Sequence, residues 1–197
     1  MNKSLLLFIF FVSSVFAKEN LWFSNEVKYG FNKTTFIFVT YEKRYDQLGF
    51  VEGYVDQFSI GADKKIIGNM LLELSYKREV VGDISHENRF VVGLKYKISY
   101  FDFRFRVEDR NFEEFSKIDH MNYRFRIRFK YNYDVFRPYL ATEPMYNNLT
   151  NEFWRNRFYT GVALVIQKQE VFIGYMRQDT KGKDTINALH VGFSLKF

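Results

Sequence analysis

Two short segments constrain the fold more than anything else in the chain. Residues 100–112, YFDFRFRVEDRNF, and 122–133, NYRFRIRFKYNY, carry a charge at nearly every second position. In the first, Arg104, Arg106, Glu108 and Arg110 share one parity, while Phe101, Phe103, Phe105 and Val107 share the other. In the second, Arg124, Arg126, Arg128 and Lys130 alternate with Tyr123, Phe125, Ile127 and Phe129. Alternate side chains of a strand point to opposite faces, so each segment is a ribbon with one apolar and one charged face.

The same period-two pattern continues through most of the chain. It predicts strands at roughly 33–44, 53–62, 66–78, 87–98, 100–110, 121–131, 135–144, 156–167, 169–178 and 185–197. Short turns are expected near Ala62–Lys65, Ser99, Asn132–Asp134 and Lys168, and longer polar loops near 45–52, 79–86, 111–120, 145–155 and 179–184. Short turns at one end and long loops at the other are the pattern of a bacterial outer-membrane barrel. With 24 Phe, 14 Tyr and only 2 Pro in 197 residues, the composition suits strands. The expected fold is all-β, an antiparallel transmembrane β-barrel of about ten strands, with eight to twelve possible. Residues 21–31, LWFSNEVKYGF, also read as a strand. An eleventh strand conflicts with the even number usual in bacterial barrels, so this segment lies in the lumen or periplasm, or one of the ten is misassigned.

The N-terminus reads as a secretory leader over residues 1–17. Lys3 gives the positive start, LLLFIFFVSSV the apolar core, and Val15-Phe16-Ala17 the cleavage site. That core is shorter than the roughly 20 residues a spanning helix needs. Residues 18–197 form the barrel domain, with the bacterial outer membrane as the expected location. In the last strand Leu189, Val191, Phe193, Leu195 and Phe197 share one face. Such an ending, above all Phe193, Leu195 and Phe197, resembles the signal read by the barrel-assembly machinery.

Lipid decides which face points where. An Arg at the bilayer midplane costs about 2–4 kcal/mol, so two ladders of charge facing lipid would exceed the stability of an ordinary domain. The charged rows are therefore expected inside. On the same parity fall Glu42, Arg44, Glu73, Glu87, Arg89, Lys95, Lys97, Arg137, Glu143 and Arg157. Tyr76, Tyr96, Tyr100 and Tyr123 would supply the interfacial girdles. In a narrow lumen unpaired charges are costly, so interleaved Glu–Arg networks that plug the interior are the first expectation. A basic lumen that passes or binds anions is the alternative, because inward cations outnumber inward carboxylates roughly two to one by this parity assignment.

The charged pattern resembles an uncharacterised family of bacterial outer-membrane proteins, domain-of-unknown-function family 2490. The resemblance is carried by Trp22, YEKRY (41–45), ENR (87–89), FRFRVEDR (103–110), YRFRIRF (123–129), RPYLATEPMY (137–146), RNRFYTG (155–161) and IGYM (173–176), in order along nearly the whole chain after the leader. It implies an outer-membrane barrel and brings no activity or ligand.

No enzyme is expected. Outer-membrane lipid hydrolases carry a His-x-Ser pair, whereas His190 and Ser194 are separated by about 13 Å along a strand. With 3 His and no Cys, neither metal-ligand spacing nor a disulfide is in view, and no cofactor is expected. Loop carboxylates such as Glu113, Glu114 and Asp119 read as solvated. The formal charge of +6 interleaved with aromatics can mark nucleic-acid binding, but secretion argues against that partner. The expected partners are membrane lipids, lipopolysaccharide and, during biogenesis, the assembly machinery, with the chain itself a monomer. A soluble lipocalin-like barrel, with Phe rows inside and Arg rows outside, is the remaining alternative.

Overall fold

The computed structural model describes residues 20–45, 53–81, 85–113 and 118–197. Residues 1–17, the expected leader, lie outside the described residues, as do most of the expected loop 45–52 and Glu114. Eleven strands run through the described chain: β1 Asn20–Gly30, β2 Thr35–Tyr45, β3 Gly53–Ile67, β4 Met70–Val81, β5 Ser85–Ile98, β6 Phe101–Phe112, β7 His120–Lys130, β8 Phe136–Asn147, β9 Glu152–Ile166, β10 Gln169–Thr180 and β11 Ile186–Lys196. Each strand pairs with the next in antiparallel register, and β1 closes on β11 to complete a barrel.

The ten expected strands are all present, with ends shifted by a few residues. The number is eleven, because residues 21–31 supply β1 rather than a lumenal or periplasmic segment. In an up-and-down barrel every strand reverses direction, so the first and eleventh must run the same way. The seam is accordingly parallel, from Asn20↔Ala188 to Lys28↔Lys196. Alternation fixes a strand and its faces but carries no information about its partner, and the even-number rule therefore misled.

One end of the barrel is stitched by tight connections. Gly68, Ser99, Asp134 and Gln167 each open a two-residue turn with φ between 48° and 54°. The expected turn at Ala62–Lys65 instead lies at Gly68–Asn69, since β3 runs on through a register shift between Lys65 and Ile67. The β1–β2 connection is held by Asn32, whose Oδ1 accepts from the Thr34 and Thr35 amides at 2.9 and 2.8 Å. Phe197 ends at this same tight-turn end, where its amide donates to the Lys28 carbonyl at 2.9 Å. The other end carries the longer connections, here called the loop end.

Side-chain orientation follows the alternation. Phe58, Ile60, Leu74, Phe90, Val92, Phe105, Phe125, Leu140, Phe158 and Ile173 point outward and are exposed, Phe90 and Leu140 each by 58%. The Arg rows point inward, the reverse of the arrangement a soluble lipocalin-like barrel requires. Aromatics gather in two outer bands. At the tight-turn end Tyr100 is in ring contact with Phe129 and Tyr131, and Phe129 with Phe101, while Tyr123, Tyr146 and Phe153 touch in succession at the loop end. From Tyr123 on β7 to Tyr131, the residue just past its end, the bands are separated by about 26 Å at the rise of a strand.

Candidate functional site: the lumenal charge lattice

The inward charges form three connected groups stacked along the barrel axis. At the loop end an alternating chain crosses from β2 to β6. Arg44 Nε donates to Glu42 Oε1 at 2.6 Å, and Arg44 Nη1 lies 3.5 Å from Glu79 Oε2. Arg89 Nη2 stands 2.8 Å from the same oxygen, an ion contact with its N–H aimed off the line of centres. Arg89 also donates through Nε and Nη2 to Glu87 at 2.5 and 3.0 Å, and Arg110 forks onto both Glu87 oxygens, its Nη2 at 2.6 Å.

Midway along the axis four residues close a ring. Arg124 donates through Nη1 to Glu108 at 2.8 Å and through Nε to Glu143 at 2.7 Å. Arg106 completes it, 3.6 Å from Glu108 and 3.4 Å from Glu143. Glu108 and Glu143 are 2% and 1% exposed, so water replaces none of these contacts. Arg126 stands at the edge, its Nε 4.0 Å from Glu143.

Towards the tight-turn end, Asp63 is shared by Lys28 at 2.5 Å and Lys95 at 2.7 Å. Lys95 also reaches Glu73 at 3.3 Å, and Arg104 forks onto Glu73 at 2.5 and 2.8 Å. Separate pairs join Arg128 to Asp102 at 2.5 Å and Lys130 to Glu170 at 3.4 Å. A forked Arg–carboxylate pair fixes both position and plane, so these strands are braced against one another in a defined geometry.

The residues singled out from sequence thus fall into different situations. Glu42, Arg44, Glu73, Glu87, Arg89, Arg104, Arg106, Glu108, Arg110, Arg124, Arg128 and Glu143 are all paired inside. Arg110 pairs with Glu87 and not with Glu108. Arg157 makes no ion pair among the described residues; its Nε donates to Gln178 at 2.7 Å. Arg137 makes no ion pair among the described residues, and the Nε atoms of Arg137 and Arg126 have no hydrogen-bond partner. Alternation also missed Asp63, Glu79, Asp102 and Glu170, all inward, so the excess of cations is smaller than two to one. Asp63 falls within the expected turn Ala62–Lys65, and Glu79 within the expected loop 79–86.

Trp22 is buried in the lumen between two guanidinium groups, Arg44 at 4.5 Å and Arg157 at 5.2 Å from its ring. Its indole meets His190 edge to face, and Phe172 makes a second edge-to-face contact with that imidazole. His190 Nε2 lies 3.3 Å from Ser24 Oγ across the parallel seam, and Ser194 Oγ donates to Glu26 at 3.2 Å. The hydroxyl facing His190 is therefore Ser24, a residue no spacing within one strand would reveal.

Beyond the strands, Glu113 is held below the usual carboxylate range by the Asn88 amide, aided by Arg78 and His86. The Arg78 pair measures 3.0 Å and is exposed. No group of three or more metal-ligating side chains occurs among the described residues.

A family model described as a protein of unknown function, DUF2490, matches residues 19–189. The chain belongs to this family. The match runs from the start of β1 into β11 and so takes in every strand of the lattice. A search of curated proteins finds no match.

Proposed function

We propose that this DUF2490 protein is a bacterial outer-membrane barrel whose lumen is shut by its own ion pairs, and that its role is structural and not transport. The observation that carries the reading is the segregation of the wall: an apolar outer belt between two aromatic bands, around an interior of paired, buried charge. The belt length suits the roughly 25 Å apolar band of outer-membrane barrels. Tight turns and Phe197 face the periplasm in this reading, and the loop end faces outward. Leader cleavage after Ala17 would start the mature chain at Lys18, and the outward face of Phe193, Leu195 and Phe197 would guide assembly.

Fractionation tests the location. The full chain is expected to need detergent for extraction and to migrate differently on gels with and without boiling. Recovery in the soluble periplasm without detergent would overturn the reading. Intact mass of the extracted protein is expected to begin at Lys18, and retention of residues 1–17 would refute the cleavage site.

An anion path is the second reading, favoured by Arg126 and Arg137, whose Nε–H groups lack acceptors. A lipid hydrolase is favoured less. The His190–Ser24 pair has the separation of a base and nucleophile, but Trp22 and Phe172 pack against the imidazole where an ester would have to approach.

A further inference from the structure

At the loop end of the lumen two inward guanidinium groups lack a counter-charge. Arg155 and Arg157 share one face of β9, two residues and so about 7 Å apart along the strand. Arg157 lies opposite Gln178 on β10, while Arg155 lies opposite Thr180 on β10 and the buried Met145 on β8. A register slip between Met145 and Tyr146 leaves Trp154 as the extra residue of a bulge. Phe153 is thereby turned outward, 71% exposed, while Arg155 keeps the inward face of Arg157. Neither arginine makes an ion pair among the described residues, and the buried Nε of Arg155 has no hydrogen-bond partner.

The surroundings make that position costly. The charged neighbours of Arg155 are Arg157, Arg110, Arg124 and Arg44, all of them cations. Arg110 is held by Glu87, Arg124 by Glu108 and Glu143, and Arg44 by Glu42. Glu152, three residues before Arg155, is paired with Lys181. Arg157 bonds only the amide oxygen of Gln178 and rests its guanidinium on the Trp22 ring. These acids are already neutralised, and the two positive charges of β9 remain. A buried cation without a partner is expensive, and the guanidinium fork matches the oxygens of a phosphate. One dianion held between the two forks balances both charges. Arg155, the nearer of the two to the loop end, is only half-buried. Deeper in, the lumen is crossed by the ring of Arg106, Glu108, Arg124 and Glu143.

We infer that the loop end of the lumen is a blind anion site that seats a doubly charged phosphate group between Arg155 and Arg157, supplied as free phosphate or as a small phosphate monoester. The anion enters from the loop end and stops at the ring, so the site coexists with a lumen that passes no current. It stands on the lumenal geometry alone, whichever compartment the loop end faces.

Both tryptophans of the chain report on this site. The Arg155 guanidinium lies 4.0 Å from the Trp154 ring and that of Arg157 lies 5.2 Å from the Trp22 ring. Full-length barrel in a non-ionic detergent is titrated at constant ionic strength with inorganic phosphate, glycerol 3-phosphate and chloride, following tryptophan emission. The phosphates are expected to give a saturable change and chloride none, and the tighter of the two phosphates names the source. Arg155→Gln is expected to weaken binding about tenfold or more, the loss of a charge-assisted contact. Lys183→Ala, which removes an exposed cation from the same end, is expected to leave binding unchanged. Phosphate is also expected to raise the urea midpoint of the wild-type barrel and not that of Arg155→Gln, because a ligand stabilises only the state that binds it. A wild-type barrel that responds to neither phosphate beyond its response to chloride would overturn the inference, and this arm needs no variant to fold. Equal weakening by Lys183→Ala and Arg155→Gln would overturn it as well, by reducing the binding to diffuse surface charge. Failure of these titrations leaves the closed membrane barrel standing, and failure of membrane fractionation leaves the anion site.

Discussion

The lumen is filled in two different ways on its two sides. Along β4–β7 the inward positions include Glu73, Glu79, Glu87, Arg89, Lys95 and the two ladders, and much of the space is occupied by charges that bond one another. Along β9–β11 the inward positions include Gly161, Ala163, Gly174, Met176, Ala188 and Gly192. There the space is filled by aromatic rings lying on bare backbone: the Tyr139 hydroxyl over Gly161 and Gly174, and the Phe172 ring over Gly192. Ionic packing tolerates extra volume poorly but fails chiefly when a partner is deleted. Packing of a ring on a glycine fails when a single methyl is added. One barrel therefore contains a wall sensitive to subtraction and a wall sensitive to addition.

The largest effect is expected from subtraction in the charged wall. Glu143→Gln and Glu108→Gln each leave Arg124 and Arg106 short of a counter-charge, at a cost of about 3–5 kcal/mol for a buried pair losing one member. Urea unfolding in phospholipid vesicles measures this. A loss below that of an exposed-pair change such as Glu113→Gln, about 0–1 kcal/mol, would mean that the ring does not brace the barrel. Addition in the other wall comes next. A Cβ at Gly161 would sit 2.5 Å from the Ile173 carbonyl oxygen and 2.6 Å from Gly174 Cα, and neither backbone atom can retreat. Gly161→Ala is expected to cost about 1–3 kcal/mol, the usual range for overpacking.

Gly192→Ala sharpens the same contrast at a smaller magnitude. Its nearest neighbour is the tip of the Phe172 ring, which can swing aside, so the expected loss is less than for Gly161→Ala on the same unfolding curve. Rank reversal would show that the ring is wedged in place. The smallest effect belongs to neither wall. Ser99 holds φ at 48°, where a glycine is relaxed, so Ser99→Gly is expected to raise stability by up to about 1 kcal/mol. A destabilised Ser99→Gly barrel would show that the serine side chain does more than occupy the turn.

These two walls were unequally legible in the sequence. The charged wall announces itself because Arg and Phe alternate, and the lipid surroundings proposed above would put the Arg face inward. Its gaps, Asp63 and Glu79, arose because lumenal positions may be polar right up to a strand end, so the polarity that normally marks a turn gives a false boundary there. The aromatic wall was nearly invisible. Gly161, Gly174 and Gly192 look like ordinary strand glycines until Tyr139 and Phe172 are placed over them from other strands. Trp22 likewise looked like one residue of a doubtful strand, since its contacts to Arg44 and Arg157 come from β2 and β9. The same limit hid the parallel seam: partner choice between β1 and β11 is decided by closure of the whole ring, a property no local window contains.

A lumen closed by ion pairs makes one direct electrical prediction. Purified wild-type barrel reconstituted in a planar bilayer should pass almost no current, while Arg104→Ala or Arg126→Ala should introduce leaks, with a loss of stability for Arg104→Ala. A steady, anion-preferring conductance in the wild type, weakened or reversed by Arg→Glu changes in the ladders, would contradict the closed lumen and make the charge lattice the lining of a path.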